Sequence, residues 1–417
     1  MSSQHDLLRP LSRPHVALHD LQHACDVKVV AGGAVNDISV EGVAVTSHGV
    51  VPGDIFVALN GLKTHGARYA PDAIERGAAA ILTDQAGVEV LSASGVLDTG
   101  IPVLVSSHNE SLRRTMAECA AYIYSRPAQH LQIAGITGTN GKTTTAFFLD
   151  AIHRAAHKST ALLGTIEMRL GEVSVPSERT TVEAPVLQGF FSRCLEEKAL
   201  TVTMEVSSHA ISLDRITETT FEAVGFTNLQ QDHLDFHHTM EEYFAAKAAL
   251  FTPTYARSGV VVVDDQWGRK LVETASIPVE SIMTSLSDDS TYNADWTVTE
   301  TSVSPQGLGV DFVLRHRSGT TVSSHSPLLG DVNVSNAALA TVLALRMGID
   351  EKTIVEGLTT LAAVPGRMEV VSQPDEPLVI VDYAHTAEAL DFALASLRNT
   401  HHATNQGKAD RGLWRSR

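Results

Sequence analysis

The chain is short of positive charge. Its 417 residues hold 31 lysines and arginines against 48 aspartates and glutamates, a formal net charge of −17. A nucleic-acid backbone needs basic surface to displace its counterions, so nucleic acid is excluded as a partner, and anions must be held at local sites. Cysteine is scarce: Cys25, Cys119 and Cys194 share no metal-type spacing, and an odd count suits a reducing compartment better than a disulfide framework. No apolar run approaches membrane-spanning length, and Met1 to Pro10 lacks the apolar core of a signal peptide. Internal repeats and low-complexity tracts are missing too. These absences predict a cytoplasmic protein with no membrane insertion. The remainder, 43% hydrophobic and 19% charged, is a globular composition, with length for about three domains.

The most informative stretch is Gly135-Ile136-Thr137-Gly138-Thr139-Asn140-Gly141-Lys142-Thr143-Thr144-Thr145. An apolar run, Leu131 to Ile136, enters it, and a helical pattern from Lys142 to about His157 leaves it. Strand, glycine-rich turn and helix in this order build a phosphate-binding loop. Glycines let successive backbone N–H groups face one cavity, and the helix N-terminus adds partial positive charge. Lys142 is placed for the outer phosphates and the Thr143 hydroxyl for Mg²⁺. The usual spacing would put a glycine at Ile136. A glycine- and threonine-rich turn with an incidental lysine is the plainer alternative; the strand in front and three threonines behind favour a nucleotide.

The order of elements predicts an α/β protein. Residues 1 to about 26 read as loose. Short β-type runs (Val27–Val30, Ile38–Thr46, Asp54–Leu59, Ala79–Thr83, Ile101–Val105) surround one helical stretch near 67–76, which describes a small α/β domain over 27–127. A helix near 110–124 ends at Arg126-Pro127. Strands near Leu200–Val206, Glu222–Phe226 and Gly259–Val263 then alternate with helices near 184–197, 240–251 and 266–274, the pattern of a doubly wound parallel sheet over 128–363. Its ligands belong at the carboxyl ends of the strands. Residues 295–329 turn to alternating β, an antiparallel flank, and two helices follow, near 333–347 and 351–361. Past Pro365-Gly366 a third unit, 364–417, opens with a strand at Leu378–Val381 and a helix at Ala387–Leu397.

Several side chains carry candidate chemistry. Glu205 closes a strand beside the loop, where a carboxylate serves Mg²⁺ directly or at one remove. A serine nucleophile with His209 is the rival reading, but no glycine-flanked elbow surrounds Ser207 or Ser208. The segment 227–238 is dense in histidine and aspartate, yet has no zinc-type helix spacing. Lys247, one charge in an apolar helix, reads from pattern alone as a snorkelling lysine. Asn333 and Asn336 share a helix face and could meet a base or cap the helix. Arg367 follows Pro365-Gly366 as a fixed cation suited to phosphate, and Asp382 closes a strand.

Together these segments resemble the Mur ligase family, over roughly Val45 to Leu397, and within it the branch that adds a diamino acid to UDP-N-acetylmuramoyl-L-alanyl-D-glutamate. The resemblance implies three domains: a small N-terminal uridine-binding domain, a central P-loop ATPase and a C-terminal Rossmann-like domain. Gly138, Thr139, Asn140, Gly141, Lys142, Thr143 and Thr144 match the ATP loop; Glu205 and His233 match magnesium ligands; Lys247 matches a lysine carried as N6-carboxylysine, an anionic oxygen ligand. Asn333, Asn336, Arg367 and Asp382 match adenine, phosphate and ribose contacts. Ser47 matches the uridine-binding segment, and Thr180, Thr181, Ser207 and Arg215 match contacts to the muramoyl-peptide and diphosphate. The implied cofactors are ATP and Mg²⁺, the partners the UDP-muramoyl-dipeptide and a diamino acid, and the state a monomer. A folylpolyglutamate-type ligase and a non-catalytic ATP and UDP-sugar binder are the alternatives. His48, Val182, Ala387, Val332 and Leu213 depart from the family pattern, mostly on the substrate side.

The basic tail Gly407-Lys408-Ala409-Asp410-Arg411-Gly412-Leu413-Trp414-Arg415-Ser416-Arg417 has no strand pattern. With one permitted codon choice, deleting a single nucleotide after the Lys408 codon yields Lys-Leu-Ile-Val-Val-Phe-Gly-Ala-Ala-Gly, the strand and glycine turn the family has there. The expectation is a C-terminal domain truncated by a frameshift or sequencing error, which leaves diaminopimelate and lysine indistinguishable. Such a chain would bind ATP and ligate poorly or not at all.

Overall fold

The computed structural model describes residues 9–394 except 34, 62, 107–110, 157, 285–291, 304–308, 362, 373–378, 385–389 and 392–393. The chain divides into two compact units. One comprises Met1–Gln132, Thr181–Leu200 and His209–Thr220; the other comprises Ile133–Thr180, Thr201–Ser208 and Phe221–Arg417.

The first unit is built on five strands: β1 (Val27–Ala31), β2 (Gly42–Ala44), β3 (Asp54–Ala58), β4 (Ala80–Thr83) and β5 (Val103–Ser106), in the order β1-β5-β4-β3-β2. Only β1 runs antiparallel to its neighbour. Strands β3 and β4 are buried along their whole length, as strands covered on both faces are. The N-terminal stretch is not loose from residue 9 on. Leu18 and Leu21 of helix Leu18–Ala24 are wholly buried. Arg9 donates to both oxygens of the buried Asp54 at 2.8 Å, and Leu11 N and Ser12 N donate to Glu196. Polar composition misled here: two leucines three apart were enough to dock one short helix. Helix Gln85–Ala93, capped by Asp84 through Gly87 N, also went unread.

The second unit holds an eleven-stranded sheet. Its strands are β6 (Gln132–Thr137), β7 (Thr160–Leu163), β8 (Glu167–Leu170), β9 (Val173–Pro176), β10 (Thr201–Glu205), β11 (Ala223–Phe226), β12 (Gly259–Val262), β13 (Val279–Met283), β14 (Trp296–Val303), β15 (Val310–His316) and β16 (Thr321–Ser326). The order is β9-β8-β7-β10-β6-β11-β12-β13-β14-β15-β16; β7 pairs parallel with β10, the run from β6 to β14 is parallel, and the outer pairings β9-β8-β7 and β14-β15-β16 are antiparallel. Helices α1 (Lys142–Ala155), α2 (Met240–Ala248), α3 (Asp331–Arg346) and α4 (Glu351–Thr360) matter for the site. Helix α3 is apolar almost all round because it is buried almost all round, against α1, α4 and the sheet. Its core partners include Ile136, Phe148, Leu149, Ile152, Ile354 and Leu358. The antiparallel flank at β14–β16 is as expected, whereas β7 to β9 and β13 were not anticipated. Within 364–417, the expected third domain, the described strands form a two-stranded antiparallel pairing, Glu369–Val370 with Ile380–Val381. The expected helix at 387–397 and the 398–417 tail lie essentially outside the described residues. Among the described residues, no helix is long and apolar enough to cross a membrane.

Candidate functional site

Strand β6 delivers the glycine-rich loop to the carboxyl edge of the sheet. Ile136 is a wholly buried residue of β6, so the loop begins only at Gly138, and the atypical glycine spacing costs it nothing. Gly138 has φ +143° and Gly141 φ +89°, a region L side chains rarely adopt. A Cβ on Gly138 would lie 1.9 Å from Thr227 Oγ1, and one on Gly141 would lie 2.3 Å from Asn336 Oδ1. Neither glycine is replaceable without moving a neighbour.

The loop is clamped by the polar segment after β11. Thr139 N donates to Asn228 O and Asn140 N to Asn228 Oδ1 (2.9 and 3.0 Å). Thr227 Oγ1 donates to Asn140 O at 2.6 Å, and Asn140 Nδ2 to Gln230 Oε1 at 2.8 Å. This clamp escaped sequence reading, in which the segment looked like metal ligands or a solvated loop. No periodicity could have announced bonds to a loop nearly ninety residues earlier.

Lys142 Nζ folds back to Gly138 O (3.1 Å) and Thr139 O (2.8 Å). Burial draws its pKa below the usual lysine range, against the attraction of Glu205 and Asp232 and with the repulsion of Arg367. Thr143 Oγ1 donates to Glu205 Oε2 at 3.0 Å. Glu205 is buried at the end of β10, and its carboxylate also accepts Thr165 N at 2.7 Å and Thr165 Oγ1 at 3.1 Å. Thr143 and Glu205 thus present adjoining oxygens of the hard type that holds a divalent cation. Among the described residues, no cluster of three or more His, Cys, Asp or Glu has metal-holding geometry.

Lys247, which pattern alone reads as snorkelling, does the opposite. It is 1% exposed, and Nζ donates to Gly138 O at 2.9 Å while lying 4.5 Å from the centroid of Tyr243. Burial, reinforced by Lys142, holds its pKa well below the ordinary lysine value. Tyr243 OH meets Thr139 Oγ1 at 3.2 Å. His233, at φ +52° and with its side chain 47% exposed, lies beside Asp232.

Asn333 and Asn336 sit inside α3, which starts two residues earlier than expected, so neither is an N-cap. Asn333 Nδ2 donates to Leu329 O, Asn336 Nδ2 to Asn333 Oδ1, and Thr145 Oγ1 to Asn336 Oδ1 (2.8, 3.2 and 3.3 Å). Arg367 lies 4.7 Å from the ring centre of Tyr383. Asp382 accepts Met368 N and Ala384 N, which braces that turn. Thr144 is buried on α1, and Thr180 Oγ1 meets Thr165 Oγ1 at 3.0 Å. Ser207 follows β10 half-buried.

The remaining predicted residues belong to the first unit. Arg215 is buried; Nη1 donates to Thr181 O at 3.0 Å and Nη2 pairs with Glu183 Oε1 at 2.9 Å, while Glu183 Oε2 accepts Arg113 at 2.8 Å. The Ser47 hydroxyl donates to Asp72, which helps hold that carboxyl below its usual range.

Farther down α1, His153 is wholly buried, its Nδ1 3.2 Å from Thr203 Oγ1. Burial, with a smaller push from Lys158, lowers its pKa to about 3. The unfolded chain takes up a proton near the ordinary histidine value of about 6.5 and the folded chain does not. Stability is therefore full above that value and falls as the pH drops. Between about pH 6.5 and 4 this residue should cost about 3 kcal/mol. Urea unfolding across that range should show this loss in the parent relative to His153→Gln; equal slopes would mean His153 does not remain neutral.

Known families match two successive stretches of this chain. Residues 136–344 match the Mur ligase middle domain and residues 39–125 the Mur ligase family catalytic domain. A UDP-N-acetylmuramoyl-L-alanyl-D-glutamate–2,6-diaminopimelate ligase of Streptomyces coelicolor is 40% identical over 390 residues, 94% of this chain and 73% of that protein. The enzyme of the same name from Corynebacterium glutamicum is 38% identical over 374 residues, 88% and 69% of the two chains. A solved structure of a ligase so named superposes with a TM-score of 0.72 at 26% identity, covering 91% of this chain and 74% of that one. With its phosphate loop, its buried strand-end glutamate and relatives this similar along nearly its whole length, the chain belongs to the Mur ligase family.

Proposed function

We propose that the chain is the ATP-dependent ligase that joins diaminopimelate to UDP-N-acetylmuramoyl-L-alanyl-D-glutamate in peptidoglycan synthesis. The observation that carries this reading is 40% identity, over 94% of the chain, to a ligase of that name. A folylpolyglutamate-type activity is disfavoured by the Ser47 segment and by the match of residues 39–125 to a Mur ligase domain. Cys25, Cys119 and Cys194 are buried free thiols, which fits work in the cytoplasm.

In this reading the substrate carboxylate attacks the γ-phosphorus of ATP, ADP leaves, and an acyl phosphate forms. The diamino acid's amine then attacks the acyl carbon, and phosphate departs with the electron pair of the C–O bond. Lys142 exchanges its bonds to Gly138 O and Thr139 O for phosphate oxygens. Arg367 adds a second cation, while Asn333 and Asn336 serve the base and Asp382 the ribose. Thr143, Glu205, His233 and a carboxylated Lys247 would hold magnesium, which when bound would neutralise phosphate charge. Lys247 suits carboxylation because only a neutral amine attacks CO₂, and burial, which lowers its pKa, favours that form. The carbamate nitrogen keeps one hydrogen, so the bond to Gly138 O can persist.

Ser47, Thr180, Thr181, Ser207 and Arg215 hold the UDP-substrate. Arg215→Ala should weaken binding of the UDP-muramoyl-dipeptide about thirtyfold, a charge-assisted contact of about 2 kcal/mol, and leave ATP binding unchanged. Calorimetry with each ligand separates the two; a fall in ATP affinity instead would refute this division of the site.

A further inference from the structure

One buried pair beside the phosphate loop has no part in the roles above. Ser208 Oγ and His237 Nε2 share a hydrogen bond of 2.8 Å, with both residues buried. Ser208 opens the short helix Ser208–Ser212, three residues after Glu205, and the connecting turn is pinned by Val206 N donating to Ile136 O at 2.8 Å. His237 closes the short helix Leu234–His237. Its ring lies against Tyr243, with centroids 5.1 Å apart and planes 32° from parallel. Tyr243 in turn bonds Thr139 of the loop and carries the Lys247 amine over its ring, one turn along α2. A serine–histidine pair invites a nucleophile reading. Both side chains are shut from solvent, however, and the pair abuts the wall of the Lys247 pocket.

We propose that His237 is a positioning residue: bonded to Ser208 and packed on Tyr243, it ties the turn after Glu205 to α2 and so sets the Lys247 amine for carboxylation. The inference rests on the reading of Lys247 as a carboxylated lysine. Its logic is geometric. Glu205 and Lys247 stand on different elements, and two ligating groups serve one centre only if those elements keep a fixed spacing. The Ser208–His237 bond joins the end of one element to the packing partner of the other. The contacts from the strand end through Ser208, His237 and Tyr243 to Lys247 are continuous.

The test uses the full chain, ¹³C-labelled bicarbonate and NMR detection of the Lys247 carbamate, with thermal unfolding recorded alongside. Ser208→Ala and His237→Phe should each raise the bicarbonate concentration for half-carboxylation about fivefold, the worth of one net hydrogen bond. The double variant should be no worse than either single one. His237→Gln, whose side-chain amide can still reach Ser208, should remain within about twofold of the parent. A merely structural role would lower the unfolding midpoint without moving the bicarbonate curve. Unchanged curves in both single variants, or fully additive shifts in the double, would overturn the proposal. Should His237→Phe fail to fold, Ser208→Ala decides by the same criterion. A parent chain with no carbamate signal at all would overturn the Lys247 reading itself, and this inference with it.

Discussion

Replacing Lys142 with alanine is expected to cost the protein about a hundredfold or more in affinity for ATP. The side chain is half-buried at the start of α1, and its ammonium is held by two carbonyls of the loop it serves. Truncating one partner of a buried, charge-assisted contact costs about 2–5 kcal/mol, and about 2.7 kcal/mol is already a hundredfold. The folded chain should tolerate the change, because Gly138 O keeps its bond from Lys247. Calorimetry with a non-hydrolysable ATP analogue measures the loss. Affinity within a few-fold of the parent would mean that Lys142 only braces its own loop.

Lys247→Ala should have the second large effect, by a different route. It should remove the carbamate signal from labelled bicarbonate and abolish whatever ligation the parent supports, with added acetate or another short carboxylate partly restoring it. The alanine leaves room where the side chain stood, and a small carboxylate can supply the missing anionic oxygens. The sign of the pH dependence follows from the lowered pKa. Carboxylation needs the neutral amine, so at a given concentration of dissolved CO₂ it should persist at a lower pH than an exposed lysine permits. Full ligation by the alanine variant without additive would sink the carboxylysine reading.

How much of this was readable from residues alone can be judged element by element. The phosphate loop was readable because its chemistry is local: an apolar strand, φ-permissive glycines and a lysine at a helix start occupy eleven consecutive positions. The parallel sheet was readable from apolar strands that alternate with helical stretches. Lys247 was misread from pattern, because periodicity reports which face a residue occupies and not what lies against that face; here it is Gly138 O, more than a hundred residues away. The loop clamp at 227–230 and the Ser208–His237 pair were invisible for the same reason. Helix Leu18–Ala24 was lost in a polar stretch, since its two buried leucines are too few to register as a period. The strand-end position of Glu205 was legible, but not the three hydrogen bonds that aim it.

The central claim, that this chain binds both ATP and a UDP-muramoyl-dipeptide, is tested most directly by one titration. The full chain, saturated with Mg²⁺ and a non-hydrolysable ATP analogue, is titrated calorimetrically with UDP-N-acetylmuramoyl-L-alanyl-D-glutamate and, separately, with folate. The account predicts saturable one-to-one binding of the UDP-substrate, weakened by Arg215→Ala, and no binding of folate. Saturable folate binding with no heat from the UDP-substrate would contradict it.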